Sequence, residues 1–173
     1  TGGLHSVDSP KIIEPQEGQK LYELDVGSMY PSIMCAYRYY PQHLGEEFID
    51  GFDKLRKRRL KAKKLKKTDK TEAYLEKGLK LSLNGLYGKT NDKYSWVYDP
   101  KTTMSVTITG QLFLLMLIER CVLAGFQVLS ANTDGIYIII DDKDQEILDN
   151  IVKEWMNETK LVLDQVSFSK LVM

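Results

Sequence analysis

The feature that most constrains the fold is a pair of apolar segments joined by a short polar turn, FQVLSANTDGIYIII (residues 126–140). Asn, Asp and Gly favour tight turns because they tolerate positive φ or hydrogen-bond to their own backbone. We therefore predict strands at 126–131 and 135–140 that pair as a hairpin. Asp134 lies inside this turn. Asp134 either only stabilises the turn or is a functional carboxylate that the turn holds at the edge of the sheet.

Hydrophobic periodicity along the rest of the chain predicts two further strands and four helices. The strands are KLYELDV (20–26) and the C-terminal LVLDQVSFSKLVM; the helices are 46–67, 70–88 with Gly88 as its stop, a long and mostly buried 103–125, and an amphipathic 143–160, with a short extended piece at 93–99. Without the helices 46–67 and 70–88, the order is βαββαβ. The predicted fold class is therefore α+β, a ferredoxin-like βαββαβ sheet with an inserted two-helix subdomain.

This topology brings two carboxylates together. In the ferredoxin-like plan, strand three lies between strands one and two and is antiparallel to both. The end of strand one, which carries Asp25, then meets the start of strand three, which follows Asp134. A carboxylate pair suits Mg²⁺, which takes one or two protein carboxylates together with substrate phosphates. The alternative is that both aspartates only cap or turn the chain.

The charges are segregated along the chain. It has 24 basic and 24 acidic residues, but KLRKRRLKAKKLKK (54–67) holds ten basic residues and no acid, which leaves 14 basic against 24 acidic elsewhere. Such a block suggests a polyanionic partner, and a solvated helix face is the alternative. The two cysteines, Cys35 and Cys121, form no CxxC pair and favour a reduced, intracellular setting. We expect no apolar run long enough to span a membrane and see no signal peptide.

The two basic helices place polar side chains on defined faces. Lys80, Asn84 and Tyr87 are spaced i, i+4, i+7 and share one face of a helix. Arg59 and Lys63 are spaced i, i+4 on the preceding helix. An arginine guanidinium can bind a phosphate through two parallel hydrogen bonds and a lysine ammonium can bind it as a point charge, so the two together can hold a triphosphate. The alternative readings are solvated lysines and hydrogen bonding at the edge of the core.

Three motifs resemble, in order, the A, B and C motifs of family B DNA polymerases, which read DxxSLYPS, KxxxNSxYG and DTDS. They are LDVGSMYPSI (24–33), KLSLNGLYG (80–88) and NTDGI (132–136). The opening GGLHS resembles the segment that precedes the polymerase domain in phage enzymes of this family. The resemblance covers nearly the whole chain and is to a phage or prophage polymerase. It implies a polymerase palm in two parts, 1–45 and 91–173, with the fingers inserted at 46–90.

The resemblance also implies roles for individual residues. Asp25 and Asp134 match the catalytic, metal-binding carboxylates, and the carbonyl of Val26 matches a further metal ligand. The remaining implied roles concern the nucleotide and the DNA. The amides of Ser28 and Met29 match the turn at the β- and γ-phosphates, and Tyr30 matches the residue beneath the sugar that excludes a 2′-hydroxyl. The residues implied to contact the triphosphate are Lys80, Arg59 and Lys63, Asn84 is implied to contact the nucleotide, and those implied at the base pair and the DNA are Tyr87, Gly88, Asn132 and Thr133. The register of Arg59 and Lys63 stays open because the run is so basic.

Three positions depart from the family pattern. Asn132 stands where the family usually has Asp, and Gly135 and Gly85 stand where it usually has Ser. The second aspartate of motif C, the one the resemblance makes essential for metal binding, is retained as Asp134. The departures therefore concern fine tuning and not the reaction.

The implied function is that of a DNA-directed DNA polymerase, which transfers dNMP from a dNTP to a primer 3′-hydroxyl with two Mg²⁺, for which Mn²⁺ can substitute. The implied partners are primer–template DNA, dNTP and the exonuclease and thumb domains of the same polymerase, without a membrane, in the cytoplasm of a bacterial host. Duplex DNA is held mainly through phosphate contacts, so a fragment without the thumb is expected to be weak or inactive. The alternatives are a non-catalytic nucleotide- or DNA-binding module and another palm enzyme, which would lack the KxxxNxxYG helix.

Overall fold

The computed structural model describes residues 2–173. Its elements in chain order are β1 (Ile12–Ile13), β2 (Gln19–Val26), α1 (Met29–Tyr37), α2 (Glu46–Leu65), α3 (Lys70–Lys89), α4 (Pro100–Leu123), β3 (Gln127–Asn132), β4 (Gly135–Asp141), α5 (Gln145–Thr159), β5 (Leu163–Phe168) and β6 (Leu171–Val172). Short 3-10 turns lie at Gln42–Leu44 and Asp142–Asp144.

Most predicted elements are present, and several details differ. The single strand predicted over LVLDQVSFSKLVM is two strands, β5 and β6, and β1 was not predicted. Helix α1 was not predicted, although its Pro31 lies in the first turn, where a missing N–H breaks no helical hydrogen bond. The segment 93–99, predicted as extended, is instead a series of turns. Gly88 lies inside α3, which ends one residue later, so the predicted helix stop is wrong by that margin.

The main sheet has the order β3-β4-β2-β5, and every neighbouring pair is antiparallel. The third strand of the predicted pattern, β4, therefore lies between the first, β2, and the second, β3, as the sequence predicts. The short strands β1 and β6 pair separately with each other.

The two faces of the main sheet differ. Side chains alternate along a strand, so Leu24 and Val26 point to one face and Glu23 and Asp25 to the other. The first face is fully buried, with exposures of 0% at Leu24, Val26, Ile136 and Ile138. One end of the second face is covered by an apolar cluster of Leu21, Leu129 and Ile139 with Ile13, Tyr137 and Leu171. Its other end, where Asp25 lies, is only partly buried.

The chain divides into two compact units. One comprises the chain up to Gly27 together with Thr109–Met173, and the other is Ser28–Ile108. The first unit holds both sheets and α5. The second unit holds α1, α2 and α3, with α2 and α3 paired as a helical hairpin, and it runs beyond the 46–90 range predicted for the inserted helices. Asp69 caps α3 by accepting hydrogen bonds from the amides of Thr71 and Glu72.

Helix α4 is less buried than predicted. Its buried side chains recur every three or four residues, as at Leu114, Leu117 and Cys121, and form one stripe. Apolar residues on other faces, such as Leu112 and Leu115, are more than half exposed. By length and composition α4 is apolar enough to cross a membrane, which contradicts the expectation that the chain has no such run. Within its apolar 18-residue stretch, 33% is buried. The core helix of a soluble protein can have the same length and composition, so these two properties are weak evidence for a membrane span.

Candidate active site

Four residues form one row across the main sheet. The strand register pairs Asn132 with Gly135, Gly135 with Asp25, and Asp25 with Asp164. Residues directly opposite each other on antiparallel strands present their side chains to the same face. Asp25, Asp164 and Asn132 therefore lie on the face that is open at this end.

Asp134 lies in the tight turn beside this row. The turn has only two residues, Thr133 and Asp134, between the paired Asn132 and Gly135. The amide of Asp134 donates to the carbonyl of Asn132, and the carbonyl of Asp134 accepts a 2.7 Å hydrogen bond from the amide of Val26. The structure thus brings Asp134 next to the end of β2 that carries Asp25, as the topology predicts.

Gly135 permits this close approach. A Cβ at this position would lie 2.8 Å from the carbonyl oxygen of Leu24 and 3.6 Å from Oδ1 of Asp25. A separation under 3 Å from a backbone atom requires the strands to shift. Glycine in place of the family's usual serine therefore lets β4 pass tightly against the end of β2.

Tyr137 lies on the same face of the main sheet as Glu23 and Asp25. The hydroxyl of Tyr137 donates a 2.7 Å hydrogen bond to Oε1 of Glu23. This bond, burial, and the charges of Glu23, Asp25 and Asp134 raise the pKa of Tyr137 to about 12. Glu23 and Tyr137 are not among the site residues predicted from the sequence. Period-two alternation along β2 was the available signal, since it places Glu23 on the face of Asp25.

The donor set fits a hard cation that brings its own ligands. Among residues 2–173, no group of three or more His, Cys, Asp or Glu side chains is placed to hold a metal ion. Asp25 and Asp134 instead offer a carboxylate pair at adjacent strand ends, joined by the bond from Val26 N to Asp134 O. Mg²⁺ needs no full protein cage, because water and substrate phosphates complete its octahedral shell.

The predicted phosphate turn coincides with the start of α1. Ser28 has φ 53° and ψ 52°, and α1 begins at Met29. The first amides of a helix have no partner within the helix and point along its positive end, which suits an anion. Met29 is buried, with 3% of the whole residue exposed, and the contact of its amide with a phosphate stays a prediction.

Two predicted site residues, Tyr30 and Tyr87, stack on each other in the second unit. Their ring centroids lie 4.6 Å apart at an interplanar angle of 31°. The hydroxyl of Tyr87 is hydrogen-bonded to Oγ1 of Thr107 at 2.8 Å, which donates in turn to the carbonyl of Thr103. Burial raises the pKa of Tyr87. The two rings form a tilted aromatic contact, and sequence reasoning did not foresee the contribution of Thr107.

Lys80 and Asn84 line an open groove on α3. It has a volume of about 450 Å³, and its other lining residues are Tyr74, Lys77, Gly78 and Leu81. The shared face of Lys80 and Asn84 is the one predicted from their spacing. Around Gly88, no atom of the described chain lies within 4 Å of where a Cβ would be, so no contact within the chain requires glycine there.

Arg59 is not where the sequence analysis expected it. Its side chain is 7% exposed and bonds through Nε and Nη2 to Oε1 of Glu76, at 3.1 and 2.8 Å. An arginine committed to a buried carboxylate joins α2 to α3 and does not present its fork to a triphosphate. The neighbouring Arg58 likewise bonds Glu72. Lys63, one turn further, is partly exposed.

Comparisons with known proteins agree with these features. No protein-family profile matches the chain. It is similar to the DNA polymerases of Desulfurococcus sp. (strain Tok), with 28% identity over 84% of this chain and 23% of the relative, and of Thermococcus sp. (strain 9oN-7), with 27% identity over 84% and 23%. DNA polymerase 1 of Pyrococcus abyssi is 25% identical over 88% of this chain and 24% of its own length.

A solved structure shares the fold. The family B DNA polymerase from the hyperthermophilic archaeon Pyrobaculum calidifontis matches 99% of this chain and 28% of its own, with a TM-score of 0.61 and 19% identity. The chain is therefore homologous to a segment of DNA polymerases and has the fold of part of a family B enzyme. It spans about a quarter of the length of the curated relatives it matches.

Proposed function

We propose that the chain is the palm and fingers region of a family B DNA polymerase, which transfers dNMP from a dNTP to a primer 3′-hydroxyl. The observation that carries the proposal is the carboxylate pair in a homologue of DNA polymerases. Asp25 and Asp134 lie at adjacent strand ends that are joined by the bond from Val26 N to Asp134 O. The strand order β3-β4-β2-β5 supports a ferredoxin-like palm, and the α2–α3 hairpin supports short fingers.

The proposal includes Mg²⁺ at the carboxylate pair. Asp25, Asp134 and the carbonyl of Val26 would hold it, and when bound it supplies charge neutralisation for a triphosphate and activation of the attacking oxygen. The protein's own contribution is placement. Asp25 lies on β2 and Asp134 in the two-residue turn that joins β3 to β4, so the paired strands around Gly135 hold both carboxylates.

The nucleotide and the DNA are assigned to the second unit. The amides at Ser28 and Met29 and the ammonium of Lys80 would bind phosphates, and Tyr30 and Tyr87 would bound the sugar and the base pair. Exposed lysines of the α2–α3 hairpin would contact the DNA backbone. Phage or prophage origin and a bacterial cytoplasm complete the proposal; they are supported by the motif resemblance.

The test is template-directed extension by a full-length polymerase that contains this chain. A primer–template with one templated position should gain the matching dNMP only when Mg²⁺ is present. Binding of DNA or dNTP without any incorporation would favour the non-catalytic module. The chain of residues 1–173 alone is expected to extend the same primer weakly or not at all, and processive extension by it would contradict that expectation.

Tyr30 provides a separate prediction about the sugar. Since its ring stacks on Tyr87, Tyr30→Val should open space beneath the sugar while dNTP use continues. We expect the ratio of ribonucleotide to deoxynucleotide incorporation to rise at least about tenfold, a change of about 1.4 kcal/mol in relative transition-state free energy. Single-turnover rates with rNTP and dNTP measure the ratio.

Two variants serve as controls for Tyr30. Tyr94→Val alters a tyrosine that is 86% exposed in the same unit and should leave the ratio unchanged. Tyr87→Phe keeps the stacked ring and removes only the bond to Thr107. An unchanged ratio in Tyr30→Val would assign Tyr30 to packing alone.

A further inference from the structure

The turn that presents Asp134 contains a strained residue. Thr133 has φ 33°, in the left-handed region that β-branched side chains rarely adopt. Such a conformation costs free energy and persists only when its surroundings hold it in place. Pairing of β3 with β4 around a two-residue loop already requires positive φ at the first loop residue. Contacts from outside the hairpin add to this restraint on Thr133.

Residues 2–8, which we call the N-terminal strap, supply those contacts. The strap runs beside β3 as a short additional edge. It is joined to the hairpin by the antiparallel bridge between His5 and Asn132, the bond from Ser6 N to Ala131 O (2.9 Å) and the bond from Thr133 N to Leu4 O (2.8 Å). The amide of the strained residue thus has its partner on the strap.

Both ends of the strap are anchored by side chains of the first unit. At one end, the carbonyl of Gly2 accepts a 2.6 Å hydrogen bond from Nε2 of Gln111. At the other, Oδ2 of Asp8 accepts from Oγ of Ser130 at 2.6 Å and from Oγ of Ser6 at 2.9 Å. The strap is therefore held against the sheet on either side of Thr133.

Gly3 packs directly on the strained residue. A Cβ at position 3 would lie 2.7 Å from both Cα and Cγ2 of Thr133 and 2.8 Å from its Cβ. One of these atoms belongs to the backbone, so rotating a side chain would not relieve the clash. For comparison, a Cβ at the adjacent Gly2 would meet no atom within 4 Å.

His5 adds a side-chain contact to the same residue. Its Nε2 lies 3.1 Å from Oγ1 of Thr133, which also donates to Oδ1 of Asn132 at 3.4 Å. The strap therefore contacts Thr133 through backbone, packing and side chain. Asp134 follows Thr133 directly, and any rotation of the turn would move its carboxylate.

We propose that Gly3 and His5 are positioning residues for Asp134, and that the strap holds the strained turn in the orientation that places this carboxylate beside Asp25. The inference rests on the proposed function for the role of Asp134 in metal binding. Groups that orient a metal ligand typically affect metal affinity by ten- to a hundred-fold, roughly the range expected for a backbone displacement at this turn.

The experiment compares Gly3→Ala with its matched control Gly2→Ala in a full-length polymerase that contains this chain. Gly3→Ala should raise the Mg²⁺ concentration for half-maximal single-turnover incorporation by about tenfold. The apparent dissociation constant for dNTP, extrapolated to saturating Mg²⁺, should stay within about twofold of the value for the unmodified protein. Gly2→Ala should match the unmodified protein in both quantities. His5→Ala should shift the Mg²⁺ requirement in the same direction by a smaller factor.

A second measurement does not depend on catalysis. Hydrogen–deuterium exchange of the peptide that spans residues 130–136 should be faster in Gly3→Ala and His5→Ala than in Gly2→Ala, because the bond from Thr133 N to Leu4 O is lost or weakened. If the unmodified protein incorporates no nucleotide, the proposed function fails, and exchange alone then tests whether the strap holds the turn.

Two results would overturn the inference. One is that Gly3→Ala and Gly2→Ala are indistinguishable in both Mg²⁺ requirement and exchange. If Gly3→Ala does not fold, His5→Ala takes its place, because it introduces no clash. Unchanged exchange together with an unchanged Mg²⁺ requirement in His5→Ala would then overturn the inference.

Discussion

Replacing Asp134 by Ala in a full-length polymerase that contains this chain should abolish nucleotide incorporation, with a loss of at least about 10³-fold, since a bound metal contributes several kcal/mol of transition-state stabilisation. Asp25→Ala should have an effect of the same size. Each substitution removes one of the two carboxylates that lie together at the ends of β2 and the hairpin turn. Single-turnover incorporation at varied Mg²⁺ measures the loss.

The fold should survive both substitutions. Asp25 and Asp134 lie at adjacent strand ends and carry like charges, so removing one carboxylate should relieve repulsion. Without Mg²⁺, the melting temperature is therefore expected to stay the same or rise. Asp141→Ala, at the opposite end of β4, is the matched control and should leave incorporation unchanged. Near-normal turnover in Asp134→Ala would contradict the proposed division of roles.

Asn132 should behave differently from Asp134. Its side chain contacts Thr133, and an amide is a poorer Mg²⁺ ligand than a carboxylate. Asn132→Asp should be tolerated, because that is the residue the resembled family carries. Asn132→Ala should reduce the rate modestly through the lost hydrogen bond, and a loss as large as that of Asp134→Ala would show that Asn132 takes part in the chemical step.

The hairpin and the meeting of Asp25 with Asp134 were accessible from the sequence because both depend on local rules. Strand alternation and turn composition define β3 and β4, and a single topological plan then places the two strand ends together. Helix α1 was missed because its sequence, MYPSIMCAY, contains a proline. Ser28 precedes it as a residue type that favours the N-cap, although its side chain makes no capping hydrogen bond.

Other parts of the site depend on contacts that no local pattern encodes. The strap meets the hairpin across a sequence separation of 128 residues, from His5 to Thr133. The need for glycine at position 3 follows only from the backbone of Thr133, whose positive φ is unexpected for threonine. The bond between Tyr137 and Glu23 depends on the exact strand register, which the sequence pattern leaves undetermined.

Arg59 shows that a run of basic residues does not reveal, from the sequence alone, which of them is buried in an ion pair. Ten basic residues within the 14 residues 54–67 look alike in the sequence, and their spacing alone favours Arg59 and Lys63 as a pair for a triphosphate. The structure distinguishes them through burial. Glu76, 17 residues away on α3, takes Arg59 out of solvent, whereas many of the lysines around it stay exposed. The identity of such a partner becomes visible only once the two helices are packed.

This ion pair leads to the second large prediction, which concerns stability. Removing one member of a buried pair leaves an uncompensated charge and costs about 3–5 kcal/mol. Arg59→Met and Glu76→Leu should therefore each lower the free energy of unfolding by about this amount. The double variant should recover much of the loss, because well-packed apolar residues often replace a buried pair at little cost. Urea unfolding of the three variants measures these differences.

Lys64→Met is the matched control, since it removes a positive charge from an exposed position of the same helix and should change the free energy of unfolding by about 0.5 kcal/mol or less. The same variants separate a structural role from nucleotide binding. If Arg59 only joins α2 to α3, the double variant of Arg59 and Glu76 should keep a near-normal KM for dNTP, whereas Lys80→Met, on the exposed groove of α3, should raise it. A stable Arg59→Met protein with a KM raised as much as that of Lys80→Met would instead support the triphosphate contact predicted from the sequence.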